Sequence, residues 1–358
     1  MDFELTDDQL ALQQVVREVA ERECPTALVR AVIAGTSDGG SLWKTYVGLD
    51  WPSLVVPGAL GGMGLGTVEL VLVLEELGRV ADPTPFLATT SQYAPLVRWC
   101  GDDDQRASLL GPVLSGGTGA AAFDGDVTAS RDGASWRLSG TARNVVDGDR
   151  ADELAVVART GDGTAAFVVA AADVTATRQT TFDAALHVAE VTLDGVPVDA
   201  GRALLAGGDE GVATARATAT AGLAATMVGA SQRSFDLALG HIRERRQFGV
   251  PIGSFQALKH MAADVHIAIE RARAVCQFAG LAIDEADDRR HLAASMAKAA
   301  AGDAQRVAVQ HGIQFFGGLG FTWENDLHLF VRRAKVGELL LGTSAEHRAR
   351  VAKEVLAR

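Results

Sequence analysis

Arg245, in the run Arg243-Glu-Arg-Arg-Gln-Phe-Gly-Val-Pro-Ile252, closes a helix just before a Gly-Val-Pro turn. Its planar guanidinium fork suits a diphosphate, with a surface ion pair to Glu244 or a nearby carboxylate as the competing use. About seventy residues on, Gln314-Phe-Phe-Gly-Gly-Leu-Gly-Phe321 places Gly317 and Gly318 where a backbone can approach a ligand closely. His260 and Asp264 fit the helix after the Arg245 run, but no nucleophile or metal partner is spaced to use them. Glu338 reads as a solvent-facing charge on a helix. The cluster Gly61-Gly-Met-Gly-Leu-Gly66 has neither a preceding strand nor a GK[ST] ending, so it is no phosphate loop.

These groups must be carried mainly by helices. Residues 1–118 read as an N-terminal helical domain. Thr6-Asp-Asp-Gln9 resembles a capping box before an apolar-periodic run through Val19. Leu70, Val71, Leu74 and Leu77 predict a helix over Val68–Val80, and Trp51–Pro57 and Gly61–Gly66 predict a turn-rich loop before it. The run Asp102-Asp-Asp104 is expected in a solvated loop. Residues 119–200 change to a small β-barrel-like domain. Leu154–Ala158, Ala165–Ala170 and Val188–Leu193 are short, β-branched and bounded by Gly/Asp turns, and the turn 159–164 joins the first two. From 201 to 358 the pattern is a C-terminal four-helix bundle. Ala-rich helices are expected at 212–242, 255–285 and 291–312, with a shorter one after Ser344. Pro251 and Gly253 separate the first two, and Gly317-Gly-Leu-Gly320 ends the third. The fold class is mainly α with a β middle domain.

The chain has 358 residues, enough for two or three packed subdomains. A net charge of −12 argues against nucleic acid, whose binders carry a basic footprint. No apolar stretch reaches the roughly 18 residues of a membrane span, and the N-terminus lacks signal-peptide regions. Cys24, Cys100 and Cys276 are odd in number and far apart, as expected of reduced thiols in a cytoplasmic protein, and no metal spacing occurs.

Two blocks carry a family resemblance: Arg243–Ile252 with Phe255, Gln256 and His260, and Gln314–Phe321 running on to Arg333-Ala-Lys and Leu340-Leu-Gly-Thr-Ser-Ala-Glu-His-Arg348. With Leu54-Val-Val-Pro57, Leu60–Leu65 and Glu75-Glu-Leu-Gly-Arg79, the chain resembles the FAD-dependent acyl-CoA dehydrogenases over essentially its whole length. The resemblance implies that Arg245 holds the FAD diphosphate of a neighbouring subunit. It implies that Phe248, Phe255 and Gln256 line that cofactor, and that Gln314, Gly317 and Gly318 contact its adenosine end.

The chain departs from the family at four places. The residue before the Gly-Thr pair is usually a Glu that removes the substrate α-proton; here it is Leu341. Some members carry the base on a bundle helix, 26 residues before the equivalent arginine, which is Ala219 here and is followed by Thr220. The ring-contacting Thr-Glu-Pro…Gly-Ser-Asp element is replaced by Ala122-Phe-Asp-Gly-Asp-Val-Thr128. In Ser139-Gly-Thr-Ala-Arg-Asn-Val-Val146, Asn144 and Val146 stand where a Trp and a Thr meet the ring. No catalytic residue is assigned.

The resemblance therefore implies α,β-dehydrogenation of an acyl-CoA thioester, with this chain as the degenerate subunit of an α2β2 hetero-oligomer, completing a homologous partner's FAD site. Two alternatives stand beside it. One is an autonomous homo-oligomeric dehydrogenase with an atypical base such as Glu338; the other is a non-enzymatic scaffold of the same fold.

Overall fold

Thr6 caps the first helix. Its hydroxyl accepts from the Gln9 amide at 3.2 Å, and the Gln9 side chain accepts from the Thr6 N–H at 3.0 Å. In the computed structural model, which describes residues 4–357, seven helices precede the sheet. They are α1 (Asp7–Glu23), α2 (Thr26–Ile33), α3 (Gly40–Gly48), α4 (Thr67–Arg79), α5 (Phe86–Ala88), α6 (Ala94–Cys100) and α7 (Asp103–Leu114). Asp102 belongs to this helical region and not to a loop: it N-caps α7 in a capping box with Gln105. Short acidic runs before an apolar stretch are also good helix starts, because carboxylates satisfy the first free N–H groups.

The middle of the chain is a nine-stranded sheet. Its strands are β1 (Gly119–Ala122), β2 (Asp124–Gly125), β3 (Thr128–Asp132), β4 (Ser135–Val146), β5 (Glu153–Thr160), β6 (Gly163–Ala170), β7 (Thr175–Arg178), β8 (Val188–Val198) and β9 (Ala203–Leu204). The order is β7-β8-β4-β3-β5-β6-β9, with β1 beside β5 and β2 beside β4. β1 runs parallel to β5, while β5 and β6 form the expected antiparallel hairpin, Leu154 opposite Val169.

Helices return with α8 (Gly208–Glu244), then the tight ribbon β10 (Arg246–Gln247) and β11 (Val250–Pro251). They continue as α9 (Gln256–Asp284), α10 (Arg290–Phe316), α11 (Leu327–Leu339) and α12 (Ser344–Leu356). α11 is not among the four helices expected of this region, although Glu338 on it reads as lying on a helix. The order helices, sheet, helices is the expected fold class.

The chain divides into two compact units. One comprises the residues up to Ala34, Val71–Asp82 and the chain from Thr220; the other comprises Gly35–Leu70 and Pro83–Ala219. Within the first, α4 and α8 cross at two glycines. A Cβ on Gly78 would collide with the Thr226 carbonyl, and one on Gly229 with the Glu75 carbonyl. That close approach buries the carboxylates of Glu75 and Glu76, which burial allows only if cations pair with them. Arg273 meets Glu75 at 2.7 Å, Arg17 meets Glu76 at 2.7 Å, and Arg79 bridges Glu76 to Asp236. Alanines 293, 297, 301, 304 and 308 let α10 bury a narrow face. In the second unit, Trp136 and Phe167 pack edge to face, and Leu138, Val156 and Val168 are likewise buried.

No described helix is long and apolar enough to cross a membrane. Among the described residues, no His/Cys/Asp/Glu group could hold a metal ion.

Candidate cofactor-contact site

Arg245 follows the last turn of α8, and its N–H donates to the His241 carbonyl at 2.8 Å. The chain then reverses through Phe248 and Gly249, both at positive φ (52° and 81°), and the Ile252 N–H closes the loop on the Arg245 carbonyl at 2.8 Å. A phenylalanine in the left-handed region is uncommon and is tolerated here in a tight ribbon turn. The turn throws the Phe248 ring outward, 90% exposed, with the Phe255 ring edge-on at 6.2 Å. Arg245 is exposed, and among the described residues it pairs with no carboxylate, Glu244 included. Gln256 opens α9 with an exposed side chain that makes no hydrogen bond among these residues. His260 and Asp264 lie on the exposed face of α9, and neither engages another described side chain.

The second block is the end of α10. Gly317 caps it at φ 60°, ψ −138°, and a Cβ at Gly317 or Gly318 would meet nothing within 4 Å. Backbone there is open to a ligand. Gln314, one turn earlier, is exposed and makes no side-chain hydrogen bond among the described residues. Phe316 joins the blocks: its ring stacks on the His241 imidazole, centroids 4.5 Å apart at 24°. Sequence reading missed this pair, because nothing in either local pattern marks a contact across so long a separation.

The turn at Leu341 is tightly built and carries no carboxylate of its own. Leu341 is 8% exposed and sits at φ 56°, followed by Gly342 at φ 101°. The Leu341 carbonyl accepts from His347 Nε2 at 3.1 Å. Lys298, fully buried on α10, donates to the Glu338 carbonyl at 3.0 Å and the Gly342 carbonyl at 2.6 Å. Burial pushes its ammonium down to about 7, against the favourable field of Glu338. Glu338 is committed elsewhere. Its Oε1 accepts from the Ser344 amide at 3.2 Å and hydroxyl at 3.3 Å, and its Oε2 pairs with Lys335 at 3.1 Å. Burial works to raise this carboxyl, but Lys335, the Ser344 amide and Lys298 outweigh it and hold it below the usual range. A carboxylate so placed caps α12 and is poorly disposed to take a proton.

The other unit carries the positions that the family resemblance marks as ring contacts. The segment after Ala122 is spent on the protein itself. Asp124 and Gly125 pair with Arg143 and Ala142 of β4. Arg216 on α8 donates to Asp124 Oδ1 at 2.8 Å and to the Phe123 carbonyl at 3.3 Å, its guanidinium 5.8 Å from the Phe123 ring. Asn144 lies at φ 57° in an irregular stretch of β4, and Val146 is buried opposite Val188. Ala219 and Thr220 are buried along α8 and offer no carboxylate or cation.

The two sets of candidate residues, each within its own unit, therefore differ in what they can hold. The exposed guanidinium of Arg245, the open Gly317–Gly318 backbone and the idle amide of Gln314 fit a diphosphate and adenosine. The Phe123–Gly125 segment, already satisfied by Arg216 and β4, and apolar Val146 do not fit an isoalloxazine ring.

Comparison with known proteins bears on the whole chain. Residues 6–117 match the family description "Acyl-CoA dehydrogenase, N-terminal domain", and residues 211–356 match "Acyl-CoA dehydrogenase, C-terminal domain". The chain is 33% identical over 355 residues to acyl-CoA dehydrogenase IpdE2 of Mycobacterium tuberculosis, covering 98% of both. A solved ChsE4-ChsE5 complex from Mycobacterium tuberculosis superposes with TM-score 0.93 at 27% identity, covering 100% of both chains. A solved steroid ACAD variant, Tcur3481-Tcur3483, does so with TM-score 0.89 at 28% identity, covering 98% of both.

Proposed function

The chain belongs to the acyl-CoA dehydrogenase family, and on that premise we propose that it is a subunit lacking its own base, lending Arg245 and the Gln314–Gly318 backbone to a partner's FAD. One observation carries the reading. Arg245, exposed and unpaired among the described residues, lies a turn beyond His241, whose ring stacks on Phe316 next to the open glycines, while the turn at Leu341 presents no carboxylate of its own.

Bound FAD supplies hydride acceptance when an acyl-CoA loses its α-proton and β-hydrogen. On this chain the work is positional. Arg245 offers a guanidinium fork to the diphosphate, and Gly317 and Gly318 offer close backbone approach to the adenosine end. Gln314 and Gln256 add amide donors and acceptors, and Phe248 and Phe255 cover the cofactor with apolar surface. Among the described residues, the carboxylates at the Leu341 turn, Glu338 and Glu346, are taken up by Ser344 and Thr343, so proton abstraction falls to the partner. The partner is a homologous, complete subunit in an α2β2 assembly, a reading supported by structural neighbours that are themselves two-protein acyl-CoA dehydrogenases. A steroid-derived acyl-CoA is the first substrate class to try, given the description of one neighbour. Cys24, Cys100 and Cys276 are buried free thiols, which supports the cytoplasm as the compartment.

The test is the flavin spectrum of the chain purified alone and with a co-expressed complete homologue. Colourless protein alone and yellow protein with the homologue is the expected result. Near-stoichiometric flavin on the chain alone would overturn the proposal.

A further inference from the structure

We propose that His241 is a further diphosphate-contact residue, whose protonated imidazole works beside Arg245; this rests on the half-site reading above. His241 lies four residues before Arg245, and the Arg245 N–H bonds to its carbonyl, so the two side chains leave one face of the chain a turn apart. The imidazole is not free to swing. It stacks on Phe316 at 4.5 Å, and Phe316 directly precedes the Gly317–Gly318 backbone. An anion held by Arg245 and by that backbone therefore finds a further group able to carry positive charge in the same block.

The charged groups acting on His241 both come from its own stretch of chain. Arg245 opposes its protonation and Glu244 favours it, whereas α10 meets it with the uncharged ring of Phe316. Burial, reinforced by Arg245, holds the imidazole below its ordinary value. A diphosphate reverses that balance, because a dianion beside the ring favours the imidazolium. Binding then takes up a proton, and affinity falls as pH rises through the range between the free and bound imidazole.

The probe is ADP-ribose, whose diphosphate has no proton that titrates near neutrality. It is titrated calorimetrically into the full-length chain from about pH 5.5 to about pH 8, in buffers of different ionisation heat. Wild-type affinity should fall about fivefold or more across that range, with net proton uptake at the acid end. His241→Phe keeps the stack and cannot protonate, so its affinity should be flat and match the wild-type value at high pH. His241→Gln serves if the phenylalanine variant does not fold. Arg245→Ala should weaken binding at every pH. A His241→Phe or His241→Gln variant that keeps the wild-type pH profile, while Arg245→Ala weakens binding, overturns the His241 role alone. No binding to wild type, or none lost in Arg245→Ala, overturns the half-site reading and the His241 role with it.

Discussion

Lys298 is fully buried and gives its ammonium to the carbonyl of Gly342 at 2.6 Å, with the Glu338 carbonyl as its second acceptor. The two carbonyls bracket the turn that carries Leu341. Gly302, one turn along α10, leaves room for Ser344, since a Cβ there would collide with the serine hydroxyl. The turn is thus gripped from one helix face by a lysine and a missing side chain.

This grip predicts a pH signature in stability. Burial lowers the lysine from 10.5 to about 7 in the folded chain. Between those values the unfolded chain holds a proton that the folded one has released, so stability rises as pH climbs through that window. Below about 7 the charge is carried in both states and the burial penalty is constant. A neutral amine still has two N–H donors, enough for both carbonyls. Relative to Lys298→Met, wild type should gain roughly 2 to 3 kcal/mol between about pH 7 and about pH 9, read from urea unfolding. Parallel curves for the two proteins would place the ammonium in a better solvated site.

At Gly229 the expectation is steric. A methyl group there strikes the Glu75 carbonyl, and the α4–α8 crossing must open. Gly229→Ala should lower stability by about 1 to 3 kcal/mol or more through overpacking, visible as a drop in Tm. An unchanged Tm would mean that the helices part freely.

Much of this was legible in the sequence, and the failures have physical causes. The Thr6–Gln9 box and the Leu154–Ala170 hairpin were readable because capping and alternation are local. Asp102 was misread because an acidic run suits a loop and a helix start equally well until its hydrogen bonds are seen. α11 was hidden because arginines interrupt its apolar positions, one of them, Arg333, buried against the carbonyls of Ala81 and Asp82. Among the candidate site residues, Arg245 and the Gly317 pair were picked out by residue type and by the family resemblance, and the fold leaves them exposed. The His241–Phe316 stack and the Lys298 grip were not picked out, since each joins elements that only the folded chain brings together.

Leu341 should be chemically silent. Leu341→Ala should cost stability, about 2 kcal/mol for a buried leucine, while turnover per flavin in the assembled enzyme stays within a few-fold. Leu341→Glu should create no second active site, because Val146 and the Arg216-bound Phe123–Gly125 segment still offer a ring nothing to hold. Removing the partner's equivalent carboxylate should instead abolish turnover, a loss of about 10²–10⁴-fold for a positioned base. Loss of turnover in Glu338→Gln would return the base to this chain.

Arg245→Ala addresses the clamp within the assembled enzyme. Losing a charge-assisted contact of about 1.5–3 kcal/mol should weaken FAD binding roughly tenfold to a hundredfold, with both chains still folded and associated. Flavin retention after gel filtration reads it directly.

Flavin stoichiometry is the most direct measurement of all. This chain purified with its complete partner should carry one FAD for every two chains, and purified alone it should carry well under one per chain. One FAD per chain in either preparation would contradict a subunit that only lends half a site.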